Sequence, residues 1–96
     1  MGILQRWRSV EGNDQKVAVG AASAASAAVG AQTYAVLLST STNCHIAFGT
    51  APTATTTNWL LKATDPGLIL GIAPGEKIAV IQDTAGGSLY IMELTQ

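Results

Sequence analysis

Charge is what this chain has least of. Only 11% of its 96 residues are charged, against roughly 25% in an ordinary soluble domain. Five of those few, Arg6, Arg8, Glu11, Asp14 and Lys16, precede residue 17. The five basic residues are too sparse and scattered to neutralise a run of phosphates, so nucleic acid is not an expected partner. A single cysteine, Cys44, rules out an internal disulfide, and one Cys with one His cannot make a spaced zinc site. Mean hydropathy is positive, yet no apolar run reaches membrane-spanning length, so no membrane partner is expected. The window 18–31 follows basic residues but is built of Ala, Gly and Ser instead of Leu, a poor match to a signal peptide. Arg6 stands where an N-myristoylation motif needs Ser or Thr. A cytoplasmic site of synthesis and use is expected. One domain of this size buries about 60 to 65% of the surface its unfolded chain exposes. Oligomerisation or docking on a larger body is the remaining supplement.

What the chain does have is a series of short β-rich runs. Ile3, Leu4, Trp7 and Val10 fall at helix-compatible spacing, and the polar break at 11–14 sets them apart from the rest. Residues 1–16 therefore read as an N-terminal docking arm and 17–96 as a β-sandwich domain. Ile3, Leu4 and Trp7 would enter a partner's groove, with Arg6 and Arg8 at the rim and Val10 completing the apolar stripe. The same residues also fit a disordered tail or one that folds back on the body. The Ala/Ser stretch 21–28 suits an edge strand because Val17, Val19 and Val29 flank it, although alanine leaves a helix as the alternative. Strands follow at 33–39, 44–49, 58–63, 68–72, 77–82 and 88–94, separated by turn chemistry such as Pro74-Gly75. The prediction is an all-β fold: a small antiparallel β-sandwich, jelly-roll-like, with seven to eight strands and three consecutive hairpins.

The faces of these strands carry the functional argument. A sandwich strand should alternate apolar inward and polar outward. Cys44, Ile46 and Phe48 obey, opposing Asn43, His45 and Ala47. Other strands are apolar on both sides: Ile78 and Val80 oppose Ala79 and Ile81, Leu89 and Ile91 oppose Tyr90 and Met92, and 68–70 is apolar throughout. One face fills the core; the second calls for cover by another subunit or a host surface.

Catalytic chemistry finds no foothold in the pattern. Cys44 and His45 are strand neighbours and so point to opposite faces, which separates a thiol from its would-be base. His45, on the outer face, is expected to be solvated or to lie at a subunit contact. Asp65 and Asp83 sit in turns, where carboxylates cap backbone groups. With no phosphate loop, triad or ligand cluster, the chain reads as a non-enzyme that uses no cofactor and no metal.

A resemblance runs from Val17 to Glu93. It is carried by Ser23-Ala24-Ala25-Ser26, Tyr34-Ala35-Val36, Asn43-Cys44-His45-Ile46-Ala47-Phe48-Gly49, Ala51-Pro52-Thr53-Ala54, Pro74-Gly75-Glu76-Lys77-Ile78-Ala79-Val80 and Gly87-Ser88-Leu89-Tyr90. In pattern and order the chain resembles the small β-sandwich virion proteins of tailed bacteriophages, specifically head decoration or cement proteins. That resemblance implies a homodimer or homotrimer on the capsid surface, assembled in the host cytoplasm, which binds the major capsid protein and bridges neighbouring capsomers. The arm lies outside the resemblance. A connector or tail component of such a particle is an alternative, as is a carbohydrate-binding module presenting Thr53, Thr55, Thr56, Thr57, Asn58 and Trp59 to a sugar.

Overall fold

A computed structural model describes residues 8–10, 12–65 and 67–95. Nine strands are present: β1 (Arg8–Ser9), β2 (Gln15–Val19), β3 (Ala24–Ala25), β4 (Ala35–Thr40), β5 (Cys44–Gly49), β6 (Trp59–Leu61), β7 (Leu68–Gly71), β8 (Lys77–Gln82) and β9 (Gly87–Thr95). No helix occurs among the described residues. One sheet runs β9-β4-β7, with β1 and β2 in tandem along the outer edge of β9; the other runs β3-β8-β5-β6. All pairings are antiparallel.

The pairs are nested. β5 pairs with β6, β4 with β7, β3 with β8 and β2 with β9. The chain is thus one long hairpin, folded over so that β4 also meets β9 and β5 also meets β8. That is the strand order of a jelly roll, the architecture expected. Three consecutive hairpins are not what forms. From β4 onward only β5 and β6 pair as sequence neighbours; the other connections pass from one sheet to the other. A turn sequence encodes a local reversal, not the sheet that the next strand joins. Pro74-Gly75 illustrates this: Gly75 has φ +87° and Glu76 N–H donates to Ala73 O at 3.1 Å, as in a type II turn, yet the chain leaves one sheet for the other there.

Alternation builds the core. Val17 and Val19, Val36 and Leu38, and Leu89 and Ile91 point inward from the first sheet. They meet Cys44, Ile46, Leu61, Ile78 and Val80 from the second. Each fully buried Leu, Ile or Val contributes roughly 1.5–3 kcal/mol of burial free energy.

The alanine segment is the extended edge that its flanking valines predicted. Gln82 N–H donates to Gly20 O, Ala24 and Ala25 pair with Val80 and Ala79, and Val29 N–H donates to Glu76 O. Where the ladder ends, the Ser26 hydroxyl accepts from Ile78 N–H at 3.0 Å and donates to Ala27 O.

The first sheet reaches further toward the N-terminus than residue 17. Arg8 and Ser9 pair with Thr95 and Leu94, and Val10 N–H donates to Glu93 O at 2.8 Å. Helix-compatible spacing is therefore not followed at Arg8 and Ser9, because the β9 edge offers backbone partners that a single helical turn would lack.

Candidate interaction surface

The outer face of the first sheet is apolar along a continuous stripe. Leu37 on β4 lies between Ile69 on β7 and Met92 on β9, and Tyr90 stands beside Ser39 two residues along. Ile69 is 48% exposed, Tyr90 47% and Met92 36%. Leu89 and Ile91, which alternate with Tyr90 and Met92, are buried, so the two-faced reading holds for β9; on β8 it does not, because Ala79 is buried as fully as Ile78 and Val80. Lys16, paired across from Tyr90, carries its ammonium 5.7 Å from the ring centroid, and Asp14 edges a hollow of about 220 Å³ floored by Leu37, Ser39, Tyr90 and Met92. An apolar strip bordered by a cation and a carboxylate has the layout of a protein-binding patch.

A second apolar feature lies where the sandwich is open. β6 and β7 are the end strands of the two sheets on the same side, and between them runs a cleft of about 440 Å³ lined by Ile46, Phe48, Trp59, Leu68 and Leu70. Trp59 stands at its mouth, 67% exposed. The Thr-rich loop before it bonds mainly within itself: Thr55 N–H donates to Asn58 Oδ1, and the Thr55 and Thr57 hydroxyls lie 2.8 Å apart. Those groups are largely turned to each other and not to an incoming sugar.

Cys44 and His45 separate as strand geometry requires. Cys44 is in the core, its Sγ 3.6 Å from the Thr40 hydroxyl; burial pushes the thiol pKa up, against a smaller lowering by Thr40. His45 does not lie in solvent, as its outward position suggested; only 7% of it is exposed. Its Nε2 lies 2.9 Å from Asp83 Oδ1 and its Nδ1 lies 2.9 Å from Asn58 O. Asp83 thus grips an imidazole instead of capping its own turn, whereas Asp65 does cap, accepting from Lys62 N–H at 3.1 Å. The Asp83 hydrogen bond, helped by the Asn58 carbonyl, raises the His45 pKa above 6.5 against the opposing effect of burial.

Glu93 is the polar residue that sequence reasoning passed over. Facing inward in register with Leu89 and Ile91, it is 2% exposed. Oε1 accepts from the Thr33 hydroxyl at 2.7 Å, Gly30 N–H at 2.9 Å and Asn13 Nδ2 at 3.4 Å; Oε2 accepts from Gln15 Nε2 at 3.1 Å. Burial pushes its pKa up, but these four donors outweigh burial and hold it below 4.5. The clue was a lone acid in a period-two apolar row. Its role is to fasten the segments at 13–15 and 30–33 to β9.

Of the expected arm residues, Ile3, Leu4, Arg6 and Trp7 lie outside the described residues. Arg8 is exposed and Val10 half-buried, both beside the Glu93–Thr95 end of β9. Among the described residues no three His, Cys, Asp or Glu side chains gather to hold a metal ion, and no helix is long and apolar enough to cross a membrane. The chain matches no family model, no curated protein and no solved structure.

Proposed function

We propose that this protein is a structural subunit of a virion: a decoration or cement protein that binds the outer surface of a tailed-phage head and bridges its capsomers. The observation that carries the reading is the stripe of exposed Ile69, Met92 and Tyr90 around half-buried Leu37, displayed on a sheet whose opposite face is the packed core. A rigid sandwich can present such a stripe without conformational cost, and a standard interface needs about 800 Å² per partner. The major capsid protein is the proposed partner, with self-association into a dimer or trimer and the N-terminal arm, including Ile3, Leu4, Arg6 and Trp7, as a second contact. A connector or tail position in the same particle would use the same surface.

Quantitative mass spectrometry of the parent particle tests this directly. A copy number equal to that of the major shell protein, or a simple fraction of it, supports the decoration role; about a dozen copies would move the protein to the portal or tail. With purified shells, Ile69→Lys and Met92→Lys should each abolish occupancy while leaving the fold intact. Full occupancy by both variants would rule the stripe out as the docking face.

A further inference from the structure

Both hydrogen-bond partners of His45 are acceptors. The Asn58 carbonyl and the Asp83 carboxylate each lie 2.9 Å from a ring nitrogen, and neither oxygen can donate. A neutral imidazole has one N–H and one lone pair, so it can satisfy only one of them; the imidazolium satisfies both. We infer that His45 is a protonation-operated clasp: charged, it holds the 55–58 turn and the 83–86 loop to β5 together, and on losing its proton it releases the turn that leads into Trp59.

The surroundings favour that reading. Across the sheet His45 is opposed by Leu60 on β6 and Ile81 on β8, neither of which competes for its protons. Asp83 is the titratable group bonded to it. Lys62, just past the end of β6, and Lys77, at the far end of β8, are the nearest cations in register, and the ion pair that forms is that of His45 with Asp83. The 55–58 turn contributes no charge, and Asp65 is engaged with Lys62 N–H. The turn is internally closed, since Asn58 N–H donates to Thr55 O and Thr55 N–H donates to Asn58 Oδ1. It therefore moves as a unit between two fixed ends, the Ala54 N–H to Ser23 Oγ bond before it and the β6 ladder that begins with Trp59 opposite Ile46 after it, with His45 as the side-chain tie between them.

The direction of release follows from charge. A carboxylate is the stronger acceptor, so the remaining proton stays on Nε2 with Asp83, and the proton lost to solvent is that on Nδ1. The Nδ1 lone pair then faces the Asn58 carbonyl lone pairs, and the turn moves away. Trp59 follows in sequence, opens the β6 ladder opposite Ile46 and forms one lip of the β6/β7 cleft, so the protonation state of His45 sets how firmly the chain leading into that lip is held. This inference concerns the cleft and not the outer stripe of the first sheet; either stands if the other fails.

The chain has one histidine, which makes the test direct. In solution, ¹⁵N imidazole spectra should show both ring nitrogens protonated at pH 6, a titration midpoint above 6.5, and the Nε2–H tautomer on the alkaline side. A neutral ring at pH 6, or the Nδ1–H tautomer at high pH, overturns the inference. Asp83→Asn should lower the midpoint; an unchanged midpoint counts against it. To read the turn, Trp7→Phe leaves Trp59 as the only tryptophan. Its emission and the amide shifts of residues 55–59 should follow the His45 midpoint, and a flat response across that midpoint defeats the coupling.

Discussion

Thr33 and Glu93 are sixty residues apart in sequence, and the hydroxyl of one donates to Oε1 of the other at 2.7 Å in a site from which solvent is almost absent. A carboxylate buried without a cation would ordinarily take up a proton. Here four neutral donors converge on it, two from the 30–33 loop and two from side chains of the N-terminal segment. The result is a fastening of three chain segments at one point.

Glu93→Gln should cost about 1–3 kcal/mol, because its amide presents donors where donors already point. Urea unfolding at pH 7 measures this. The Glu93 pKa is depressed in the fold, so the stability it contributes is complete above 4.5 and is lost as pH falls through the folded value. The gap between wild type and variant should therefore narrow on acidification below pH 4.5. A gap independent of pH would mean that Glu93 is not held as a carboxylate.

His45 has the opposite sign. Its folded pKa is raised, so its contribution is complete below 6.5 and fades as pH rises through the folded value. Stability measured from pH 6 to 10 should decline for wild type more steeply than for Asp83→Asn. Parallel curves would contradict this.

Leu38→Ala removes a fully buried side chain from the middle of β4 and should cost about 2–5 kcal/mol. Trp59→Ala, at a residue 67% exposed, should change unfolding stability by no more than about 0.5 kcal/mol. Chemical denaturation of both variants checks the contrast between core and cleft lip.

Gly86→Ala should destabilise strongly and Gly20→Ala should not. A Cβ at Gly86 would come within 2.7 Å of the Val19 carbonyl oxygen, whereas nothing lies within 4 Å of one at Gly20. Backbone cannot yield as a side-chain tip does. A lower melting temperature in the first variant only is the expected outcome.

Trp7→Ala tests the arm. Loss of particle occupancy with unchanged unfolding stability is expected; unchanged occupancy would remove the arm from the docking role.

Period-two alternation and turn residues determined much of this protein by themselves. Strands at Cys44–Gly49 and Lys77–Gln82 were legible to the residue, because each is a β-rich run bounded on both sides by turn residues. The doubly apolar run around Ile69 and the pair Tyr90 and Met92 announced an exposed stripe, since a strand has only two faces and the core fills one. The separation of Cys44 from His45 followed from the same geometry. Which strands pair was not legible: nesting β2 with β9 and β3 with β8 is a choice among long-range contacts, and no local turn encodes it. For the same reason, only the folded chain could bring Asn58 and Asp83 to His45, or Gly30, Thr33 and Gln15 to Glu93. Each residue type offered a donor or an acceptor in isolation. The fold decided which of them meet, because hydrogen bonds act over about 3 Å and the sequence separates these partners by 13 to 78 residues.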